Sequence, residues 1–426
     1  MARAMKDSGI EWIGEIPEGW EVDKTKHYYT THKDVAGNRS EEFERLALTL
    51  NGVIKRLKDD STGLQPEAFN GYQILRSGEL VFKLIDLENV STSRVGYSSF
   101  TGIVSPAYII LQPNKAEESL YGVYYFLSMW QREIFNHMGD DGVRSSLNAS
   151  DLLNIPYLKV SSDEKEKIVS FLDAECARID AVIEQTRASI EEYKKLKQSV
   201  ITQAVTKGIR PGRRMVNSGV DWLGQIPDEW AVFRIANLYD ERNERGTDDL
   251  PILTVSINTG ISDHEIPDEE KDRVVVRSED RTLYKRVCPG DLAYNMMRAW
   301  QGAFGAARVD GMVSPAYVVA KPKTPGILDS RYVEALLRTP SAIEEMHRYS
   351  RGITDFRLRL YWPEFKNIRV CVPYIKEQVE IADYIDEKAA EIDALIQKKQ
   401  QFLVEMESYK KSLIFEYVTG KKEVYN

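Results

Sequence analysis

The chain has 426 residues, of which 42% are hydrophobic, 29% charged and 10% aromatic. This is the composition of a soluble globular protein, too apolar to be disordered and long enough for two to four domains. Its formal net charge of −9 argues against a protein that coats nucleic acid through bulk charge and leaves only local basic surfaces for such a role. Arg273, Arg277, Arg281 and Arg286, then Arg348, Arg351, Arg357 and Arg359, either form such surfaces or are ordinary solvated arginines. No run of about 18 apolar residues is present to span a membrane. Residues 1–6 lack the apolar core of a secretory signal, and the three scattered cysteines, Cys176, Cys288 and Cys371, do not read as a disulfide framework. These features point to a reducing cytoplasm.

Taken in chain order, the elements occur twice. The box Ser8-Gly9-Ile10-Glu11-Trp12-Ile13-Gly14-Glu15-Ile16-Pro17, followed by Trp20, returns as Ser218-Gly219-Val220-Asp221-Trp222-Leu223-Gly224-Gln225-Ile226-Pro227, followed by Trp230. Next come strand patterns over 79–82 and 104–111 and a helical pattern over 120–137. Their counterparts are 291–294, 313–320 and 330–349. Gly102-Ile103-Val104-Ser105-Pro106-Ala107-Tyr108 returns as Gly311-Met312-Val313-Ser314-Pro315-Ala316-Tyr317. Each copy closes on a long helix, the first from 163 to about 206 and the second from 375 to about 419. Ile179-Asp180-Ala181-Val182-Ile183 in the first matches Ile392-Asp393-Ala394-Leu395-Ile396 in the second. The three boxes recur at offsets of 210, 209 and 213 residues, so the chain is a tandem duplication.

The long helices contain neither Gly nor Pro. Apolar residues recur at steps of three and four: Ile168, Leu172, Ile179, Val182, Ile183, Ile190, Leu196 and Val200, then Ile381, Ile385, Ile392, Leu395, Ile396, Phe402, Leu403, Met406, Tyr409 and Leu413. The seam is imperfect, with Glu175, Thr186 and Lys399 on it. A helix of this length spans about 60 Å, and its apolar stripe needs a partner. The repeat supplies one, and a pseudo-two-fold relation would make the pair antiparallel. The alternative is two separate helices, each packed on its own globular segment. The fold class is therefore α+β: two mixed, strand-rich domains separated by two long antiparallel helices forming a coiled coil, with a pseudo-two-fold internal repeat. The expected segments are 1–160, 161–210, 211–372 and 373–426.

Catalytic motifs are scarce. Asn154-Ile155-Pro156-Tyr157 is similar to the Asn-Pro-Pro-Tyr motif of amino-methyltransferases, but the first proline is replaced and the second copy reads Asn367-Ile368-Arg369-Val370. A strand-opening segment is the better reading. Glu269-Glu270-Lys271 lacks the upstream Pro-Asp of a nuclease site and reads as a solvated charge run. There is no phosphate-binding loop of the Gly-x-x-x-x-Gly-Lys type and no Cys-x-x-Cys, and the five histidines show no metal spacing.

Binding residues are more promising. Gly142 followed by Arg144 corresponds to Gly352 followed by Arg357 and Arg359. A glycine next to a fixed arginine suits a loop that approaches a phosphate or a guanine edge. The stretch Asn295-Met296-Met297-Arg298-Ala299-Trp300-Gln301-Gly302 mixes Asn295, Arg298 and Gln301, side chains suited to base edges. Lys83, Asn89 and Arg94 lie in the corresponding stretch of the first copy, and Asn51 corresponds to Asn258. For each, a loop-stabilising hydrogen bond is the competing role.

On these boxes, in this order and in duplicate, the chain resembles the DNA-specificity subunit of type I restriction–modification systems along essentially its whole length. The resemblance implies two target-recognition domains, each reading one half of a bipartite double-stranded DNA site, and helices that act as spacer and as platform for two methylation subunits. Restriction subunits would join if the system restricts. It implies a non-catalytic chain without cofactors, with S-adenosylmethionine, ATP and Mg on the partner subunits. One departure is that the first long helix opens Asp163-Glu164-Lys165, where the family pattern, and Glu377-Gln378 here, has Glu-Gln. Another is the insertion between Gly352 and Arg357. Other classes that fit the residues are a stand-alone two-lobed DNA-binding regulator and a coiled-coil adaptor without DNA.

Overall fold

The computed structural model describes residues 3–60, 68–85, 87, 92–138, 146–247, 249–257, 259–264, 283–353 and 357–424. The chain divides into two units, Met1–Arg187 with Gln401–Asn426, and Ala188–Gln400. The division falls inside both long helices, Ser162–Lys207 and Ile375–Val418, and not at their ends. Part of each helix packs on one core and part on the other, so the compact units differ from the four segments read in the sequence.

In the first unit the opening box is a hairpin. Strands Met5–Asp7 and Glu15–Pro17 pair antiparallel, and the Ser8 N–H donates to the Gly14 carbonyl (3.0 Å). Gly9 and Gly14 take φ near +70°, which the turn requires and side chains resist. The hairpin buries Ile16 and Trp20. Strand Glu21–Lys24 then pairs with Pro156–Lys159, which leads into the first long helix. Two four-stranded sheets lie between them in sequence. One has the order Tyr29–His32, Ile109–Pro113, Leu80–Phe82, Val95–Tyr97, all antiparallel. The other has the order Gly52–Arg56, Arg45–Thr49, Gly102–Val104, Gln73–Leu75, with a parallel pairing of Arg45 and Ile103.

The Val-Ser-Pro-Ala-Tyr box carries the chain between these sheets. The sequence pattern predicts one strand over 104–111, whereas the structure has two strands separated by a turn. In it the Tyr108 N–H donates to the Ser105 carbonyl (3.1 Å), and Pro106, with fixed φ and no N–H, sits where a ladder cannot continue. The helical pattern over 120–137 likewise ends early: helix Glu117–Gln131 stops before Glu133, whose φ is +59°, and a 3-10 turn Ile134–His137 follows.

The second unit repeats this order. Its hairpin pairs Met215–Asn217 with Gln225–Pro227, and Ala231–Arg234 pairs with Arg369–Val372. Its main sheet runs Tyr239–Glu241, Tyr317–Pro322, Leu292–Asn295, Phe304–Ala306, again antiparallel. Among the described residues, the counterpart of the second sheet comprises the pairs Val255–Ser256 with Gly260–Ile261 and Lys285–Val287 with Gly311–Val313. The pattern over 330–349 splits into helices Ser330–Leu337 and Pro340–Tyr349. Pro340 has no N–H to extend the first, and the Thr339 hydroxyl caps the second at the Ala342 N–H (3.4 Å).

The long helices touch within each unit. In the first, Lys410 pairs with Asp180 (2.6 Å), Arg187 with Glu407 (3.0 Å), and the Phe171 and Tyr417 rings lie 4.4 Å apart. In the second, Lys197 pairs with Asp393 (2.6 Å), Arg210 with Glu380 (2.6 Å), and Lys399 lies over the Tyr193 ring. Partners descend along one helix as they ascend along the other, so the packing in each unit is antiparallel. Ile168, Leu172, Ile179 and Ile183 are buried in the first unit, Ile381 and Ile385 in the second. Val182, Leu196, Leu395, Phe402 and Tyr409, read as seam residues in the sequence, are instead exposed. A single neighbouring helix covers a stripe narrower than their spread. Thr186 sits buried on the seam at little cost, because its hydroxyl donates to the Val182 carbonyl (2.7 Å). Among the described residues no helix is long and apolar enough to cross a membrane.

Candidate nucleic-acid interface

Strand Leu292–Asn295 of the second unit ends in a stiff loop. The Met297 N–H donates to Asn295 Oδ1 (2.9 Å) and the Arg298 N–H to the Asn295 carbonyl (3.0 Å). The Arg298 carbonyl accepts from Gln301 (2.9 Å) and Ala303 (3.2 Å), and the Trp300 indole N–H donates to the Met297 carbonyl (3.0 Å). Asn295 therefore holds the loop-stabilising bond that competed with base reading. Arg298 is half-buried, with no ion pair among the described residues. Gln301 is exposed and lines a cleft of about 710 Å³ of mixed charge, in which Lys197 pairs with Asp393 and Arg338 with Glu334.

The loop of Gly352 is stitched to this platform. Arg351 and Arg359 exchange backbone hydrogen bonds of 2.9 Å each, and the Leu360 N–H donates to the Met296 carbonyl (2.9 Å). A Cβ on Gly352 would stand 2.7 Å from the Arg357 carbonyl oxygen, so only glycine lets the two backbone segments approach. The result is a concavity of about 510 Å³ lined by Met297, Arg351, Ile353, Arg357, Arg359 and Tyr361. Arg357 and Arg359 are exposed, and Arg351 pairs with Glu364 (2.5 Å). The structure thus brings Arg357 and Arg359 together with the Met297–Arg298 segment, an arrangement able to hold phosphates and reach base edges.

The first unit has a corresponding seam, in which the Leu147 N–H donates to the Leu84 carbonyl (2.9 Å). Asn51 is exposed in the turn between Arg45–Thr49 and Gly52–Arg56. Lys83 is half-buried and donates to the Thr92 hydroxyl (3.4 Å). Arg94 corrects the sequence reading. It is 0% exposed and donates to the same hydroxyl (3.2 Å), so its guanidinium belongs to the interior. Asn89, Arg144 and Asn258 lie outside the described residues, as do Arg273, Arg277, Arg281 and the Glu269-Glu270-Lys271 run. The Asn154 segment enters strand Pro156–Lys159, as the sequence indicates, and the Asn154 amide donates to the Ser150 carbonyl of its own helix (2.9 Å).

No family model matches the chain. Two proteins of Methanocaldococcus jannaschii match it end to end. A putative type I restriction enzyme MjaX specificity subunit is 23% identical over 97% of this chain and 96% of its own length. The type I restriction enzyme MjaVIII specificity subunit is 22% identical over 96% and 95%. The chain is a homologue of type I specificity subunits. Its fold agrees. A chain from a solved type I restriction–modification complex superposes with a TM-score of 0.67 at 13% identity, covering 96% of this chain and 99% of that one. The HsdS subunit from Thermoanaerobacter tengcongensis gives 0.51 at 14%, covering 96% and 98%.

The unusual opening of the first long helix also finds its explanation. Glu164 and Glu377 play one role: Glu164 binds Arg3 (2.5 Å) and accepts from the Trp20 indole (2.8 Å), while Glu377 pairs with Arg213 beside Trp230. The next residue differs. Gln378 is buried and accepts from the Asp329 N–H (2.9 Å) while donating to the Pro373 carbonyl (2.8 Å). Lys165, 3% exposed in its side chain, instead pairs with buried Glu118, which also accepts from the Tyr157 hydroxyl (2.9 Å). The departure is compensated 47 residues away in the chain, where local pattern could not show it. The sequence pattern does not single out Met297 and Ile353, which line the same concavity. Their only signal is apolar character beside glycine and arginine.

Proposed function

We propose that the chain is the DNA-specificity subunit of a type I restriction–modification complex, each unit reading one half of a bipartite duplex site. The observation that carries this reading is the end-to-end match of a duplicated chain to a type I specificity subunit, over 97% of this chain and 96% of that relative. The exposed Arg357 and Arg359 on a glycine-pinned loop support it, since they give an acidic protein a local basic contact. The antiparallel helices are a spacer between half-sites, and two methylation subunits dock on their exposed apolar residues, such as Leu196, Leu395 and Phe402. Methyl transfer from S-adenosylmethionine, and Mg- and ATP-dependent restriction where present, belong to the partner subunits. The test is enrichment of duplexes from a random pool by the full chain assembled with its methylation subunits. A split motif with a fixed gap and salt-dependent affinity is expected. A contiguous motif, or no enrichment, refutes the reading.

A further inference from the structure

We infer that the second unit reads a thymine through its C5-methyl group, using Ile353 and Met297 as an apolar tip. The inference rests on the proposed DNA-reading role and names a specificity contact within it. Ile353 is 96% exposed and Met297 is exposed beside it in the same concavity. Single exposed apolar residues are common, but this pair is held in a distinctive setting. Gly352 packs against the Arg357 backbone, and the Arg351–Arg359 bridge closes the loop base, so Ile353 projects from a fixed start. Arg351, Arg357 and Arg359 line the same concavity, and Arg351 pairs with Glu364. Among the described residues the lining holds these three arginines and no carboxylate, which favours an anionic occupant, and guanidinium contacts with phosphates would press the tip toward base edges.

The side chains of Ile353 and Met297 offer base edges no strong hydrogen-bond donor or acceptor. In the major groove the one apolar group that a base edge presents is the thymine methyl. A cytosine at that position presents an amino group that this tip cannot satisfy.

The test uses the full chain with its methylation subunits and the duplex selected from a random pool. Each thymine is replaced singly by uracil, which removes the methyl and keeps the pairing. One position, in one half-site only, should then bind about fourfold more weakly, the worth of one buried methyl-sized group. In Ile353→Ala or Met297→Ala this penalty should shrink or vanish, while the salt dependence stays because no phosphate contact is lost. Both residues are exposed, so neither variant threatens the fold. Tolerance of uracil at every position, half-sites without thymine, or a penalty undiminished in both variants overturns the inference. Failure of the unaltered complex to enrich any sequence strikes instead at the proposed function, so the two outcomes are separable.

Discussion

Replacing Lys165 by methionine should destabilise the first unit far more than a typical substitution. The ammonium pairs with Glu118 in the interior and sits 5.4 Å from the Tyr28 and Tyr121 ring centres and 5.8 Å from that of Tyr157. Methionine preserves most of the apolar contact with these rings, so the change removes chiefly the charge. Glu118 then keeps the Tyr157 hydroxyl as a donor but loses its cation, and a buried carboxylate stripped of its partner costs about 3–5 kcal/mol. For a unit of this size, at about 2–4 °C per kcal/mol, the transition should fall by roughly 6–20 °C. Calorimetry of the full chain would follow it, with the transition of the second unit, where Gln378 occupies the matching place, as an internal reference. Lys165→Met combined with Glu118→Gln should recover most of the loss, because the orphaned charge is gone. A single variant within about 1 kcal/mol of the parent, or a double variant no better than the single, would show that Glu118 does not depend on the Lys165 charge.

Arg359→Ala should weaken DNA binding by about 1–3 kcal/mol at one half-site if it contacts a base, or uniformly with a lower salt slope if it contacts phosphate, and leave thermal stability unchanged. Arg94→Ala should do the reverse, lowering stability by about 2–4 kcal/mol because it empties an interior position; binding assays and melting curves on both variants check the pair. Gly352→Ala should displace the arginine loop, since its Cβ would meet backbone atoms of Arg357 and Leu358 within 3 Å, and erode selectivity at one half-site without global unfolding. Leu395→Pro should cost about 3 kcal/mol or more through the helix backbone and abolish specific binding to the split site; normal affinity with an unchanged gap requirement would argue against the helices as spacer.

The duplication and the long helices were legible in the sequence because both are carried by local pattern: repeated boxes, and runs without glycine or proline spaced at three and four. The turn inside the Val-Ser-Pro-Ala-Tyr box was hidden because its flanking residues are β-formers, and only the pairing of Val104 and Ile109 with different sheets separates them. The exposure of Val182, Leu196 and Leu395 depends on how wide a stripe a neighbouring helix covers, which periodicity does not state. Burial of Arg94 and the Lys165–Glu118 pair are long-range outcomes, decided by what the fold places beside a charge. Arg357 and Arg359 could be proposed from glycine–arginine spacing, whereas the exposed Ile353 became meaningful only once its arginine frame was assembled.

The decisive measurement is the sequencing of methylated adenines in cells carrying the complete system, with the native chain and with Arg357→Ala/Arg359→Ala. One bipartite methylation motif with a fixed gap is expected, in which the double variant relaxes or loses the bases of one half only. Methylation that persists when the chain is deleted, a contiguous motif, or a motif unchanged in the double variant while the protein remains folded would contradict the specificity role of the chain.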